Sequence, residues 1–249
     1  MMSSSTRSLD AYAVEYKNMP FEAIQASYRR KLVLEQIEQL KPTRILEIGC
    51  GLNPLFTENR FNCHFTVIEP TIEFVNNACE LAKPYQNVQI INGQMESQQF
   101  TKGEFDLIVL SCLLHEVSSS MLMLNAIHKI CTIDTVVHIN VPNAYSLHRL
   151  LAVAMEIIPS IYSISPLQQK MQQNGKIYDI DSLSQELLEA GFQSIANGGI
   201  LIKPFTHSQM QTLVDQEFLT PNMLYGFDQL AKDIPIVSSE IWVNAKIIT

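Results

Sequence analysis

Charge is scarce in this 249-residue chain: Asp, Glu, Lys and Arg together make up 17% of it. Basic residues are the scarcer sign, 17 Lys and Arg against 25 Asp and Glu, for a formal net charge of −8. Nucleic-acid binding rests on clustered cations that displace counterions from phosphates, so this balance argues against a general nucleic-acid binder. Only Arg29-Arg30-Lys31 forms a local basic run. Long apolar runs are missing too, which argues against a transmembrane helix of about 18 residues or more. The greasiest stretch, residues 150–158, is broken by Glu156 and stopped by Pro159. The five cysteines (Cys50, Cys63, Cys79, Cys112 and Cys131) include no C-x-x-C pair, which excludes a zinc ribbon or a thioredoxin-type motif. An odd, scattered set fits reduced thiols in a cytoplasm. The serine-rich opening has no apolar core of a secretory signal, and residues 1–8 read as disordered. No internal repeat is present.

What the chain does have is apolar mass, 47% of its residues, arranged in alternating periods. Residues 20–40 carry helical spacing between Pro20 and Pro42. Short β-branched runs follow at 44–48, 64–70, 88–93, 105–111 and 135–142, with helical segments at 72–82 and 120–131 between them. A helical stripe spans 146–158, and a helix at 181–190 is capped at Asp181 and stopped by Gly191. A strand at 192–202, helices at 206–219 and 221–231, and a last strand at 241–248 complete the order. Near-continuously apolar strands alternating with helices predict an α/β fold, a doubly wound and mainly parallel sheet covered on both faces. Ligands of such sheets bind outside the carboxyl ends of the strands. Glu47, Glu69, Gln94, Ser111 and Asn140 all fall at or just past those ends. The expected organisation is an N-terminal helical segment over 1–42 and a main domain over 43–249. Cap insertions are expected at about 146–178 and 205–235.

The stretch Glu47-Ile48-Gly49-Cys50-Gly51 is the most informative. Glycines let the chain turn at positive φ and leave no Cβ between main chain and ligand. An acid at the strand tip repels a diphosphate and welcomes an ammonium, so the expected ligand is a nucleoside with an amino-acid tail. A nicotinamide-binding Rossmann fingerprint would need a glycine at the sixth position, where this chain has Pro54.

Glu47-x-Gly49-Cys50-Gly51, Glu69 eighteen residues after Gly51, and Gly93-Gln94 resemble the class I S-adenosylmethionine-dependent methyltransferases. The similarity is to the small-molecule type found in ubiquinone biosynthesis. It implies a Rossmann-like sheet of seven strands, the last antiparallel and inserted beside the fifth, with a helical cap. Carried across, Glu47 orients the methionine amino group and the main chain of Gly49, Cys50 and Gly51 passes under the cofactor. Glu69, followed by Pro70, accepts the ribose hydroxyls, because two carboxylate oxygens can each take an O–H donor. Gln94 and the Met95 backbone face the adenine, and Ser111 lies near the methionine tail. Tyr12, Tyr16 and Arg29 close over the cofactor from the N-terminal segment, Arg29 toward the methionine carboxylate, unless Arg29-Arg30 is only a solvated face. Two departures stand out: Asn53-Pro54 replaces the usual third glycine, with Asn53 able to supply a left-handed turn, and Gln94 replaces an Asp.

A sulfonium methyl is already electrophilic, so alignment supplies much of the acceleration, and an oxygen acceptor also benefits from a base such as His. His115, followed by Glu116 in the loop after the fourth strand, is the first choice for base or substrate contact. An equal alternative is that it only hydrogen-bonds the loop. Tyr16, Asn140, Asn143 and His148 are further substrate-binding candidates, with loop capping the alternative for the asparagines. His128 and His138 read as core histidines, and no metal set is evident. The expected function is methyl transfer to a small molecule, most simply at oxygen, by a cytoplasmic enzyme. A degenerate fold serving as a binding or partner subunit is the competing reading. An outward-facing cap would serve a homodimer.

Overall fold

The computed structural model describes residues 16–58, 62–164 and 176–248. The expectations for residues 1–8 and Tyr12 lie outside these. Helix α1 (Glu22–Leu40) ends at Lys41, whose left-handed φ of 49° lets its N–H reach the Ile37 carbonyl at 2.9 Å. Strand β1 (Arg44–Ile48) follows at once, and β2 (His64–Glu69), helix α2 (Ile72–Ala82) and β3 (Val88–Asn92) come next. After β4 (Leu107–Ser111) come helix α3 (Ser120–Ile130), β5 (Val136–Pro142) and helix α4 (Leu147–Ala154). The chain closes with α5 (Ile180–Glu189), β6 (Phe192–Ile200), α6 (His207–Asp215), α7 (Pro221–Asp233) and β7 (Glu240–Ile247).

The seven strands form one sheet in the order β3-β2-β1-β4-β5-β7-β6. All pairings among β1 to β5 are parallel, whereas β7 runs antiparallel to both β5 and β6. Chain order reverses between β1 and β4, the kind of switch point where open α/β sheets bind ligands. The antiparallel insertion of β7 leaves β6 parallel to the first five. The carboxyl ends of β4, β5 and β6 and the start of β7 therefore share one edge.

The strand pleat sends successive side chains to opposite faces, and both faces are covered. On one, Leu46, Ile108, Leu110, Val137 and Ile139 pack with Leu124 and Ile127 of α3 and Leu183 and Leu187 of α5. On the other, Ile45, Val67, Leu107 and Val109 pack with Val33 and Ile37 of α1 and Ala78 of α2. Each such fully buried aliphatic side chain contributes about 1.5–3 kcal/mol relative to exposure. A third cluster joins Phe21 and the outer side of α1 to Leu201, Met210, Leu219 and Leu224, so α1 is bonded to the C-terminal part of the chain.

Several boundaries move for local reasons. The stripe expected to reach 158 ends as a helix at Ala154, because Glu156 takes a φ of 59° ahead of Pro159. Asp179, rather than Asp181, caps α5, its carboxylate accepting from the Ser182 N–H at 2.7 Å. Strand β6 stops at Ile200 because Leu201 turns left-handed at φ 46°. Strand β7 begins one residue early, at Glu240, a buried carboxylate that apolar patterning cannot anticipate.

Candidate functional site

A cavity of about 1610 Å³ lies along the carboxyl edge of the sheet. Its walls include the β1 turn, the tips of β2 and β3, the loop after β4, and residues of α1, α4 and the β6–α6 connection. Pockets for one small ligand span roughly 300–1,000 Å³, so this one has room for two partners side by side.

The β1 turn is built by two left-handed glycines, Gly49 at φ 76° and Gly51 at φ 56°. Gly49 donates to the Ile68 carbonyl at 2.8 Å, fastening the turn to β2. A Cβ on Gly49 would press on the Leu113 side chain at 3.2 Å. One on Gly51 would project into the cavity, with Tyr16 the nearest neighbour at 4.0 Å, so this glycine keeps a surface clear for a ligand. Asn53 is not left-handed, which corrects the expectation that it supplies a third such turn. Arg30 holds that part of the loop instead, donating to the Asn53 and Pro54 carbonyls and to Thr57 Oγ1 at 2.7 Å.

Glu47 sits beneath this loop, 4% exposed, and accepts from the Leu55 N–H at 2.9 Å. Burial pushes its carboxyl up to about 7, against the pull of the Leu55 N–H and the Arg30 charge. Glu69, also 4% exposed, accepts from the Thr71 N–H at 2.9 Å and the Gly51 N–H at 3.3 Å. Burial raises its pKa as well. A carboxylate offers about four acceptor sites, so both acids retain capacity toward the cavity. Cys50, Pro70, Gln94 and Met95 complete this end: Gln94 is exposed, and Met95 is buried at 1%.

The turn after β4 forms the middle of the cavity. Cys112 takes a φ of 56°, unusual for a residue with a Cβ, and its N–H donates to the Asn140 carbonyl at 3.0 Å. His115 is buried here with Nε2 3.7 Å from the Glu116 carboxylate. Ser111 lines the wall, but its hydroxyl donates to Asn140 Oδ1 at 2.9 Å.

One sequence expectation needs correcting, and two further candidates line the cavity while also bonding neighbouring elements. Asn140 is fully buried and is not part of the cavity wall; its amide spans Ser111 and Glu240. Asn143 reaches the wall but latches loops, donating to the Ile236 and Ser238 carbonyls at 2.9 Å and accepting from the Tyr145 N–H. Arg29 also reaches the wall, yet its guanidinium is taken up by Glu240 (2.6 and 2.8 Å) and Glu22 (3.2 Å). It pins α1 to β7, with four of its five N–H donors engaged by these two carboxylates. Tyr16 stands over Gly51 and donates to Glu22 at 3.3 Å, and His148 lines the far end. His138 is a core residue bonded to Asn244 at 2.7 Å, and His128 packs on Phe192.

That far end holds side chains the sequence did not flag: Glu22, Gln25, Arg149, Lys203 and His207. Lys203 is 1% exposed, and its ammonium bonds Gln25 Oε1 at 3.1 Å and His207 Nδ1 at 2.9 Å. Both stretches expected to form a cap contribute wall residues, His148, Arg149 and Tyr178 from one and His207 from the other. The one hint in the sequence was the polar spacing Glu22, Gln25, Arg29, which puts three side chains on one stripe of α1.

The family model described as "Methyltransferase domain" matches residues 21–197, well over half of the chain. No curated protein matches it significantly. Among solved structures, 1125 chains match, so the fold is widely shared. One is the Burkholderia thailandensis 1,6-didemethyltoxoflavin-N1-methyltransferase, solved with 1,6-didemethyltoxoflavin and S-adenosylhomocysteine bound. It aligns with a TM-score of 0.63 and 12% identity over 97% of this chain and 87% of that one. A Thermotoga maritima S-adenosylmethionine-dependent methyltransferase, described as a possible histamine N-methyltransferase, gives 0.62 and 13% over 97% and 100%. The [4+2]-cyclase SpnF gives 0.60 and 15% over 88% and 79%. At such identities the likeness is one of fold, and a cyclase among the relatives shows that the fold alone does not dictate a reaction.

Proposed function

The chain belongs to the methyltransferase-domain family and is an S-adenosylmethionine-dependent methyltransferase, and from that premise we propose that it methylates an oxygen of a small organic molecule. The observation that carries this is the division of the cavity. Two buried acids and a glycine turn line one end, His115 lies in the middle and His148 at the other end, within a volume too large for the cofactor alone.

The residues at the first end fit the cofactor. Gly51 leaves the space a Cβ would occupy, and Glu69 has lone pairs left for two hydroxyl donors. Glu47 supplies negative charge where an ammonium is expected, and Met95 offers an apolar wall to a base. When bound, S-adenosylmethionine supplies a methyl group on a positively charged sulfur. The protein's part is to hold the acceptor in line, exclude water and receive the acceptor's proton. His115 is the group we assign to that proton, since it is buried in the wall between the two ends.

Binding should be proton-linked through Glu47. A carboxyl near 7 in the free protein falls when an ammonium arrives, because an opposite charge favours the ionised form. Calorimetry of S-adenosylhomocysteine binding at pH 6, repeated in buffers of different ionisation enthalpy, should show close to one proton released. Affinity should weaken as pH falls below 7, by up to about tenfold per unit. Binding without proton release would remove Glu47 from the ammonium site.

The oxygen acceptor is tested by methyl-uptake assays on metabolite extracts, followed by identification of the product. With an acceptor in hand, His115→Gln should lower kcat by roughly 100-fold and leave S-adenosylhomocysteine affinity within about twofold. The acid limb of the pH–rate profile should vanish, since a base must be neutral to accept a proton. An unchanged profile removes His115 from the mechanism.

A further inference from the structure

The far end of the cavity is built around a buried lysine, Lys203. Among the described residues no acid lies within ion-pair distance of Lys203, whose partners are Gln25 Oε1 and His207 Nδ1. An ammonium carries three donors, and two of them are used. His207 accepts at Nδ1, so its own proton is on Nε2, which faces Glu22 at 3.5 Å. Glu22 and Glu240 are held by Arg29 at 2.6–3.2 Å. The two carboxylates that act on Lys203 among the described residues, Glu22 and Glu240, are thus already engaged by another cation.

His148 lines the same part of the cavity. Burial first, and then the charges of Lys203, His207 and Arg149, disfavour its charged form, so it stands beside the ammonium as a neutral imidazole. The corner therefore has one spare cationic donor on the wall of a cavity with space beside the cofactor, and the two nearest carboxylates are both already held by Arg29.

We propose that the methyl acceptor carries a carboxylate or an equivalent oxyanion, and that the third N–H of Lys203 receives it. Gln25 and His207 act as positioning residues for the ammonium. This inference rests on the methyltransferase reading of the cavity and adds the charge class of its substrate. Burial lowers the amine to about 8 against the pull of Glu22 and Glu240, so an arriving anion restores the proton. The groups facing Lys203 are Glu22 and Arg29 of α1, Cys112 after β4, His148 of α4, His207 of α6 and Glu240 of β7.

The test uses the full chain loaded with S-adenosylhomocysteine and two matched probe pairs, benzoate with benzamide and salicylate with salicylamide. Binding is read by ligand-observed NMR. The carboxylates should bind about tenfold or more tightly than their amides, as expected for a hydrogen bond to a charged group, and Lys203→Met should abolish that preference while S-adenosylhomocysteine still binds. Should the variant not fold, the wild type suffices: benzoate binding at pH 8.5 should take up a proton from buffer, and affinity should fall as pH rises further. No preference for carboxylate in the wild type, including no binding of either class, overturns the proposal. So does a preference that survives in Lys203→Met. Failure of S-adenosylhomocysteine to bind at all would instead strike the underlying methyltransferase reading.

Discussion

Replacing Glu69 by alanine should weaken S-adenosylhomocysteine binding by roughly 100-fold or more, as measured by calorimetry. The ribose of the cofactor offers two hydroxyl donors, and a hydrogen bond to a charged partner contributes about 1.5–3 kcal/mol. Losing two therefore costs about 3 kcal/mol or more, and each 1.4 kcal/mol is tenfold. The same carboxylate accepts from the Gly51 and Thr71 N–H groups, so alanine also orphans two main-chain donors and loosens the turn. Glu69→Gln separates the effects: it keeps the shape and one acceptor and should fall between wild type and alanine. Unchanged affinity in the alanine variant would mean that the ribose lies elsewhere.

Arg29→Met should cause the largest loss of stability, about 3–5 kcal/mol, because it strands two buried carboxylates without their cation. For a chain of this size that is a fall in Tm of roughly 10 °C. In the wild type, burial would raise the Glu22 carboxyl, but Arg29 and His207 outweigh it and hold it at about 2. Glu240 is likewise held low by Arg29 and Gln25 despite burial. With folded values below the unfolded ones, both contribute stability above about pH 4.5 that is lost as pH falls toward 2. In the variant His207 and Gln25 remain, but the main opposition to burial is gone; both carboxyls should rise above their unfolded values, so the sign reverses and the protein should gain stability as pH drops from 7 toward 5. Chemical denaturation at pH 5 and pH 7 reads this directly. A variant that loses less than 1 kcal/mol, with a wild-type pH dependence, would show that Arg29 is not the pin it is taken to be.

The strand ends were legible because parallel strands buried on both faces write themselves as short apolar runs, and polar residues punctuate where the runs stop. Glu47, Gly49, Gly51 and Glu69 are near one another in both sequence and space, so pattern reading reaches them. The far end of the cavity was not legible. Arg29 and Glu240 stand 211 positions apart, and only the antiparallel return of β7 between β5 and β6 brings them together. Lys203 follows a strand whose last residues are small and apolar, with no motif around it to mark a buried ammonium. Arg29 beside Arg30 looked equally like a solvated face, and burial against β7 is a tertiary fact that local spacing cannot hold. Asn140 was misassigned for the converse reason: its position at a strand end is correct, but Glu240 and Ser111 occupy it from either side.

The central claim is that the Glu47–Gly51 turn and Glu69 form one cofactor site, and a single calorimetric titration of S-adenosylhomocysteine into the wild-type chain at pH 8 tests it most directly. The expected result is one saturable site per chain with a dissociation constant in the micromolar range or below, about −8 kcal/mol. No heat of binding with protein at high micromolar concentration, confirmed by an unchanged Tm, would contradict the account and leave a methyltransferase fold without its cofactor.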